Sequence, residues 1–431
     1  MAVCLGNLTA ASPWPEFGRA TQVCGTSWQE QYATLHSRLL TTAQPRLLVF
    51  DAAANGGLAD RLTGLMTLLL IAMLTDRALA IDWAGFDAAL STPRIDTAAA
   101  LALARRAPPN DVRSVRWLNA NRLGLREQVE ADLDTLWPER VLVFQSNRGF
   151  TQGLLTSTRH AAAAASRQLS PSTTQFGCLV DFLLRPTESA LATLQPLRDG
   201  LAGAHAVETV TIGVHVRTGD ASFAAEAGGL GGGGGAAERL AAEAALGAKL
   251  YASHAFIFDY AVELGQQLAR TRSRAARASD EGGGSSGGGG AAGSGGGGEV
   301  GRASGPYFVL LGDSPALRRH AAALLGEQSV LYWGNATGSR IGHVARQPGN
   351  AATLQSAVAE HWLFAGCDAF VYSSHSGYPR TAAARALRDD ALHTCFHYAG
   401  PVFNSHKRST ARECTGPWSV AELGERHAAG L

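Results

Sequence analysis

The chain has 431 residues, 46% hydrophobic and only 17% charged, which is enough apolar material for two domains of ordinary size with length left for insertions. A formal net charge of +1 and the lack of any dense Lys/Arg run exclude a nucleic-acid binder, which would need a basic face. Six cysteines (Cys4, Cys24, Cys178, Cys367, Cys395 and Cys414) are scattered without a CxxC pair or a Cys/His cluster, so no zinc site is expected. Disulfides in an oxidising compartment are permitted but not required.

Residues 1–44 contain two prolines and two cysteines with little periodicity, and are expected to wrap the outside of a first domain. The start lacks a basic region followed by an apolar run, so nothing there reads as a signal peptide. The sequons at Asn7 and Asn335 are compatible with a secretory lumen.

A first domain is expected over 45–205. "RLLVF" (46–50) reads as a buried strand, "DAAANGG" as a turn, "LADRLTGLMTLLLIAMLTDR" as a helix and "ALAIDW" (78–83) as the next strand. This β-turn-α-β unit builds parallel sheets with helices on their faces. The apolar run "LTGLMTLLLIAML" (62–74) lies between Arg61 and Asp76 and falls short of the ~20 residues a membrane span needs, so it predicts a buried helix. Gly56 and Gly57, adjacent between strand and helix, allow a ligand to approach the backbone and the helix N-terminus; a simple tight turn is the other reading. This turn is not G-x-G-x-x-G, since the next glycine is Gly64, and there is no G-K-[ST]. "ADLDT" (131–135) holds a D-x-D, but no apolar strand precedes it, and it is set aside. "RVLVF" (140–144) predicts a further strand, and residues 176–200 predict helices that close this half.

A second domain is expected over 206–400, opening with "TIGVHVRTGD" (211–220). In extended chain Ile212, Val214 and Val216 share one face, while Gly213, His215 and Arg217 share the other. The flat fork of Arg217 suits two phosphate oxygens, although a half-exposed strand with a polar face has the same pattern. Gly/Ser-rich insertions at 226–236 and 280–305 can bury little and are expected to be disordered. Between them, residues 251–279 carry a helical stripe with an Arg-rich end. "YFVLLGD" (307–313) is a strand ending at Asp313, which could accept hydrogen bonds from a base or ribose or cap the helix that starts near Pro315. "SVLYW" (329–333) and "DAFVYS" are strands separated by the helix "AATLQSAVAEHWLFAGC", and "YPRTAAARALRD" is the last helix. Ser373, Ser374, Ser376 and the N–H groups around Gly377 fall between strand and helix, again an anion-binding arrangement. "SHSGY" loosely matches G-x-S-x-G, which would make Ser376 a hydrolase nucleophile with His393 or His397, but Ser374 and Tyr378 stand where glycine is needed. Residues 401–431 are expected to form a tail. The fold class is thus α/β, two Rossmann-like halves whose strand-end loops face a cleft.

In the order in which they occur, "GGLADRLTGLMTLLLIAMLTDRALAIDW", "HVRTGD", "FVLLGDS" and "VYSSHSGYPRTAA" resemble the motif blocks of GT-B-fold fucosyltransferases: the plant xyloglucan-type, α1,6-type and protein O-fucosyltransferases. The resemblance implies GDP-fucose as donor with no metal or other cofactor, a glycan or glycoprotein hydroxyl as acceptor, and work in the secretory pathway. It implies that Arg217 holds the β-phosphate, that His215 and Asp313 contact the nucleoside, and that Ser373, Ser374, Ser376 and Gly377 line the diphosphate. Gly56, Gly57 and Arg61 would close the cleft from the first domain. Ala59-Asp60 replaces the family's Gly-Asn, and Tyr378-Pro379 its Phe-Gly. An inverting transfer follows, with Asp60 and Asp220 as candidate bases. A silent member that binds GDP-sugar or glycan without transfer is the alternative, and a serine hydrolase a distant third.

Overall fold

Helix α1 (Ser27–Leu40) leads into β1 (Leu47–Asp51), α2 (Leu58–Leu74), β2 (Ala78–Asp82), β3 (Val112–Trp117) and β4 (Val141–Ser146). The computed structural model describes residues 23–52, 56–118, 125–169, 175–206, 209–218, 235–282, 305–334, 344, 347, 349–373, 376–387, 391–397 and 412–418. Cys4, both sequons, Asp220, Ser374 and most of the Gly-rich insertions lie outside these residues.

The first sheet is parallel, in the order β2-β1-β4-β3. Strand β3 goes unnoticed in the sequence because it is an edge strand: Arg113, Ser114 and Arg116 are exposed, so "VRSVRW" shows no apolar run. Helix α2 crosses from β1 to β2 and is buried almost all round, which explains its unbroken apolar sequence. Gly64 on that helix lies against β4, where any Cβ would collide with the Ser146 carbonyl.

The second sheet is assembled from β5 (Thr211–Val216), β6 (Tyr307–Gly312), β7 (Val330–Leu331), β8 (Ala369–Ser373), β9 (Leu392–His397) and β10 (Arg412–Trp418). Its order is β10-β9-β8-β5-β6-β7, parallel except for β10, which runs antiparallel to β9. The chain section expected as a tail therefore supplies an edge strand, and a Cys395–Cys414 disulfide fastens it to β9. A second disulfide, Cys24–Cys178, ties the segment before α1 to helix α4 (Gln175–Leu183; α3 is Thr97–Ala104).

Helices α5 (Glu188–Ala206), α6 (Ala236–Gly282), α7 (Pro315–Leu325), α8 (Ala351–Phe364) and α9 (Gly377–Arg385) complete the layers. Helix α6 is longer than the 251–279 stripe, because the Ala/Leu/Glu-rich residues before it are strong helix formers. It covers one face of the second sheet, Ile257, Phe258 and Ala261 packing on Ile212, Val214 and Val371. The other face shares a core with the first unit: Phe50, Leu65 and Leu69 belong to the same buried cluster as Phe364, Phe370 and Tyr372. Helices α4 and α5 do not simply close the first half. They pack on α9 and α8 respectively and so join the halves.

The architecture is α/β and GT-B-like, two parallel-sheet units with their strand ends turned toward one another. Among the described residues no helix is long and apolar enough to cross a membrane.

Candidate functional site

The β1–α2 and β8–α9 connections are both strand-turn-helix, and they meet. A Cβ placed on Gly377, the first residue of α9, would stand 3.6 Å from the Ala59 Cβ in the first turn of α2. Two helix N-termini, with their unsatisfied N–H groups, thus converge where the carboxyl ends of both sheets face each other.

From the second unit, strand β5 delivers His215 and Arg217 on the face the alternation predicts. His215 is buried and stacks on Tyr378 of α9, ring centroids 5.9 Å apart. Burial drives its pKa down to about 3, against the pull of Asp313, so the imidazole is neutral at physiological pH. The Tyr378 hydroxyl in turn donates to the Ala357 carbonyl of α8 at 2.6 Å, fixing the ring. Arg217 follows the strand as an exposed side chain, and its backbone N–H donates to the Ser373 Oγ at 2.9 Å. Asp313 accepts from the backbone N–H and the hydroxyl of Thr218 at 2.7 and 2.8 Å. It therefore pins the loop after Arg217, while Ser314 is the residue that caps α7, accepting from the Leu317 N–H.

Beneath this loop lies a buried ion pair: Arg318 donates to Glu360 at 2.6 Å and also reaches the Gly312 carbonyl at the end of β6. Burial pushes the Glu360 carboxyl up, and Arg318 opposes that shift. Ser376 is buried at the N-cap of α9, and its carbonyl accepts from the Arg380 Nε at 3.2 Å.

From the first unit, Gly56 has φ +154°, and a Cβ there would come within 2.8 Å of the Asp60 Cβ. The Gly57 N–H donates to Asp60 Oδ2 at 3.1 Å, a capping interaction at the start of α2. Arg61 is buried: its Nε donates to the Gly56 carbonyl at 3.2 Å and its guanidinium lies 5.2 Å from the Trp83 ring centroid. It braces its own turn, on the first-unit side of the contact between α2 and α9.

Burial raises the pKa of Asp60, and the Gly57 N–H together with Arg217, Arg148 and Arg380 pulls it back. Three arginines on three different connections are thus near enough to one carboxylate to act on its charge, though none pairs with it. Arg148, two residues beyond β4, and Arg380 were missed in the sequence. Their only signal was an arginine directly after a strand end and another in a helix's first turn.

The other expectations resolve as follows. Ser374 and Asp220 are outside the described residues. In the D-x-D, Asp132 accepts from the backbone N–H groups of Asp134 and Thr135, and Asp134 pairs with Arg46, so both are structural. His393 Nδ1 is hydrogen-bonded to the Tyr260 hydroxyl of α6 at 2.8 Å, which gives the hydrolase reading no free base at that position.

No family model matches the chain, and no curated protein does. Among solved structures, it is similar to an arginine-to-lysine variant of FUT1 from Arabidopsis thaliana in complex with GDP, at 14% identity and TM-score 0.47, over 89% of this chain and 78% of that one. It is also similar to NodZ α-1,6-fucosyltransferase soaked with GDP-fucose, at 14% identity and TM-score 0.39, over 81% and 94%. A further match is the fucosyltransferase NodZ from Bradyrhizobium, at 13% identity and TM-score 0.39, over 81% and 96%.

Proposed function

We propose that the chain transfers fucose from GDP-fucose to a hydroxyl of a glycan or glycoprotein, by an inverting mechanism that needs no metal. The observation that carries this reading is the meeting of the first turns of α2 and α9 at the strand ends, beside the loop that follows β5 and carries Arg217. A diphosphate is the dianionic group such a site suits, and the motif blocks that build it resemble those of GDP-fucose enzymes. The acceptor oxygen attacks C1 of fucose, the C1–O bond to the β-phosphate breaks, and GDP leaves with the electron pair. Arg217 and the helix N–H groups stabilise the charge that develops on the leaving phosphate, each such donor typically contributing ~3–4 kcal/mol at the transition state. Asp60, whose proton affinity burial raises, takes the acceptor's proton. Neutral His215 is suited to hydrogen-bonding an uncharged nucleoside. The two disulfides fit residence in a secretory lumen.

The test is GDP release from GDP-fucose by the purified chain with EDTA, beside Arg217→Ala, with GDP-mannose and UDP-galactose as controls. Release that prefers GDP-fucose, survives EDTA and vanishes in the variant is expected. GDP binding without release would mean a silent GDP-sugar binder, and no binding of GDP at all would sink the reading.

A further inference from the structure

We propose that Arg380 is a second phosphate-binding guanidinium, partner to Arg217, and that Asp60, on the helix start that faces α9, is the negative charge that opposes anion binding by this pair. The inference rests on the diphosphate reading above and assigns two residues to it.

Arg380 sits in the first turn of α9, one turn after Ser376. Its Nε is anchored on the Ser376 carbonyl at 3.2 Å, which sets the plane of the guanidinium and leaves the NH1 and NH2 edge facing outward from the anchor. NH2 lies 3.9 Å from where a Cβ on Gly377 would stand, at the contact between α9 and α2. No carboxylate is within ion-pair distance of Arg380 among the described residues, and desolvation lowers its pKa, with Tyr372 and Asp60 the groups that offset this. A guanidinium that is partly desolvated and has no carboxylate paired with it is suited to an anion.

The same geometry constrains Asp60. Its carboxylate is tied to the Gly57 N–H and shares the field of Arg217, Arg148 and Arg380, each on a different connection. Two anions cannot both have full use of those guanidiniums. When phosphate oxygens take the forks of Arg217 and Arg380, Asp60 loses the charges that hold its proton affinity down. It then becomes a better proton acceptor at the moment the donor is in place. Arg217, fixed through its backbone to Ser373, and Arg380, fixed through Nε to Ser376, would grip the two phosphates from neighbouring strand ends.

The opposite signs expected for the two residues make the test sharp. Binding of inorganic pyrophosphate, GDP and guanosine to the full chain is measured by titration calorimetry, with the unliganded melting temperature as a folding control. Arg380→Gln should weaken pyrophosphate and GDP about 10- to 100-fold and leave guanosine unchanged, a range expected for one charge-assisted contact. Arg380→Lys should recover only part of the loss, because the fork is gone. Asp60→Asn should bind pyrophosphate about 3- to 10-fold more tightly while its turnover falls, so that affinity and kcat move apart.

Unchanged pyrophosphate binding in folded Arg380→Gln, or weaker binding in Asp60→Asn, overturns the proposal. Should Arg380→Gln not fold, the Arg380→Lys and Asp60→Asn titrations still decide. Arg380-dependent binding of pyrophosphate without binding of GDP would uphold the phosphate site and overturn the GDP-fucose reading. Binding of neither by the wild type would overturn both.

Discussion

The two connections that meet at the site are built on one plan and differ in what their arginines do. In α2, Arg61 sends its Nε back to the Gly56 carbonyl and lies over Trp83, with a side chain almost wholly out of solvent. In α9, Arg380 sends its Nε back to the Ser376 carbonyl in the same way, but has no aromatic ring beneath it in the described structure and remains partly accessible. The first turn also carries its own carboxylate at Asp60, where the second has Pro379. Arg61 is therefore spent within its own unit, and Arg380 is left open to a ligand. Position relative to the helix start does not decide whether a charged side chain is functional; what surrounds its far end does.

The largest effect that would sharpen this contrast lies beneath the second turn. Glu360→Gln removes one partner of a pair whose side chains are 5% and 6% exposed, leaving Arg318 charged and buried. A loss of about 3–5 kcal/mol in unfolding free energy is expected from denaturant titration, whereas an apolar double replacement at both positions should restore much of it. A loss near zero would mean that the second unit is not braced by this pair. Next in size is Arg217→Lys, which keeps the charge and loses the fork. Turnover of GDP-fucose should fall about 10²- to 10³-fold, with a change in melting temperature too small to account for it. The parallel substitution Arg61→Lys should do the reverse, lowering stability first and turnover only through it.

The opposite face of the second sheet offers a check that the site is local. His393 is buried against Tyr260, and burial lowers its pKa to about 4 from an unfolded value of about 6.5. Between those values the unfolded chain binds a proton that the folded chain does not, so this group's contribution is intact above pH 6.5 and is lost as pH falls toward 4. Gln can still accept from the Tyr260 hydroxyl and does not titrate. Relative to His393→Gln, the wild type should lose about 3 kcal/mol of stability between pH 7 and pH 4, read from urea midpoints. Donor binding at pH 7 should be the same in both, since α6 and the site lie on opposite faces.

How much of this was legible in the sequence depended on whether a residue's role was local. The period-two pattern of "TIGVHV" placed His215 and Arg217 on the correct face, and the unbroken apolar run of α2 announced a helix buried all round. Strand β3 was hidden because an edge strand needs only one apolar face, and β10 because its pairing depends on a disulfide partner 19 residues away. Arg380 and Arg148 were illegible for a different reason. Nothing in "YPRTAA" or "SNRGF" states that two segments more than two hundred residues apart will bring their arginines to one carboxylate. The contact of Arg61 with Trp83 was hidden by the same gap, since the ring comes only after the next strand.

The smallest effect separates the two turns most directly, through their glycines. Gly56 is held at φ +154°, which a side chain rarely adopts, and a Cβ there would stand 2.8 Å from that of Asp60, so either the turn or the first residues of α2 must move. Gly56→Ala should cost about 1–3 kcal/mol and disturb Asp60, with turnover falling more than donor affinity. Gly377 has helical backbone, and a Cβ there would meet the Ala59 Cβ at 3.6 Å and Arg380 at 3.9 Å, both ordinary contacts. Gly377→Ala should change stability by less than about 0.5 kcal/mol, since it fits the space and favours the helix. Its effect should instead appear as weaker GDP binding, because the methyl group intrudes where α9 offers its N–H groups to a phosphate. If Gly56→Ala proved silent and Gly377→Ala unfolded the chain, the assignment of Gly56 to turn geometry and of Gly377 to ligand approach would have to be reversed.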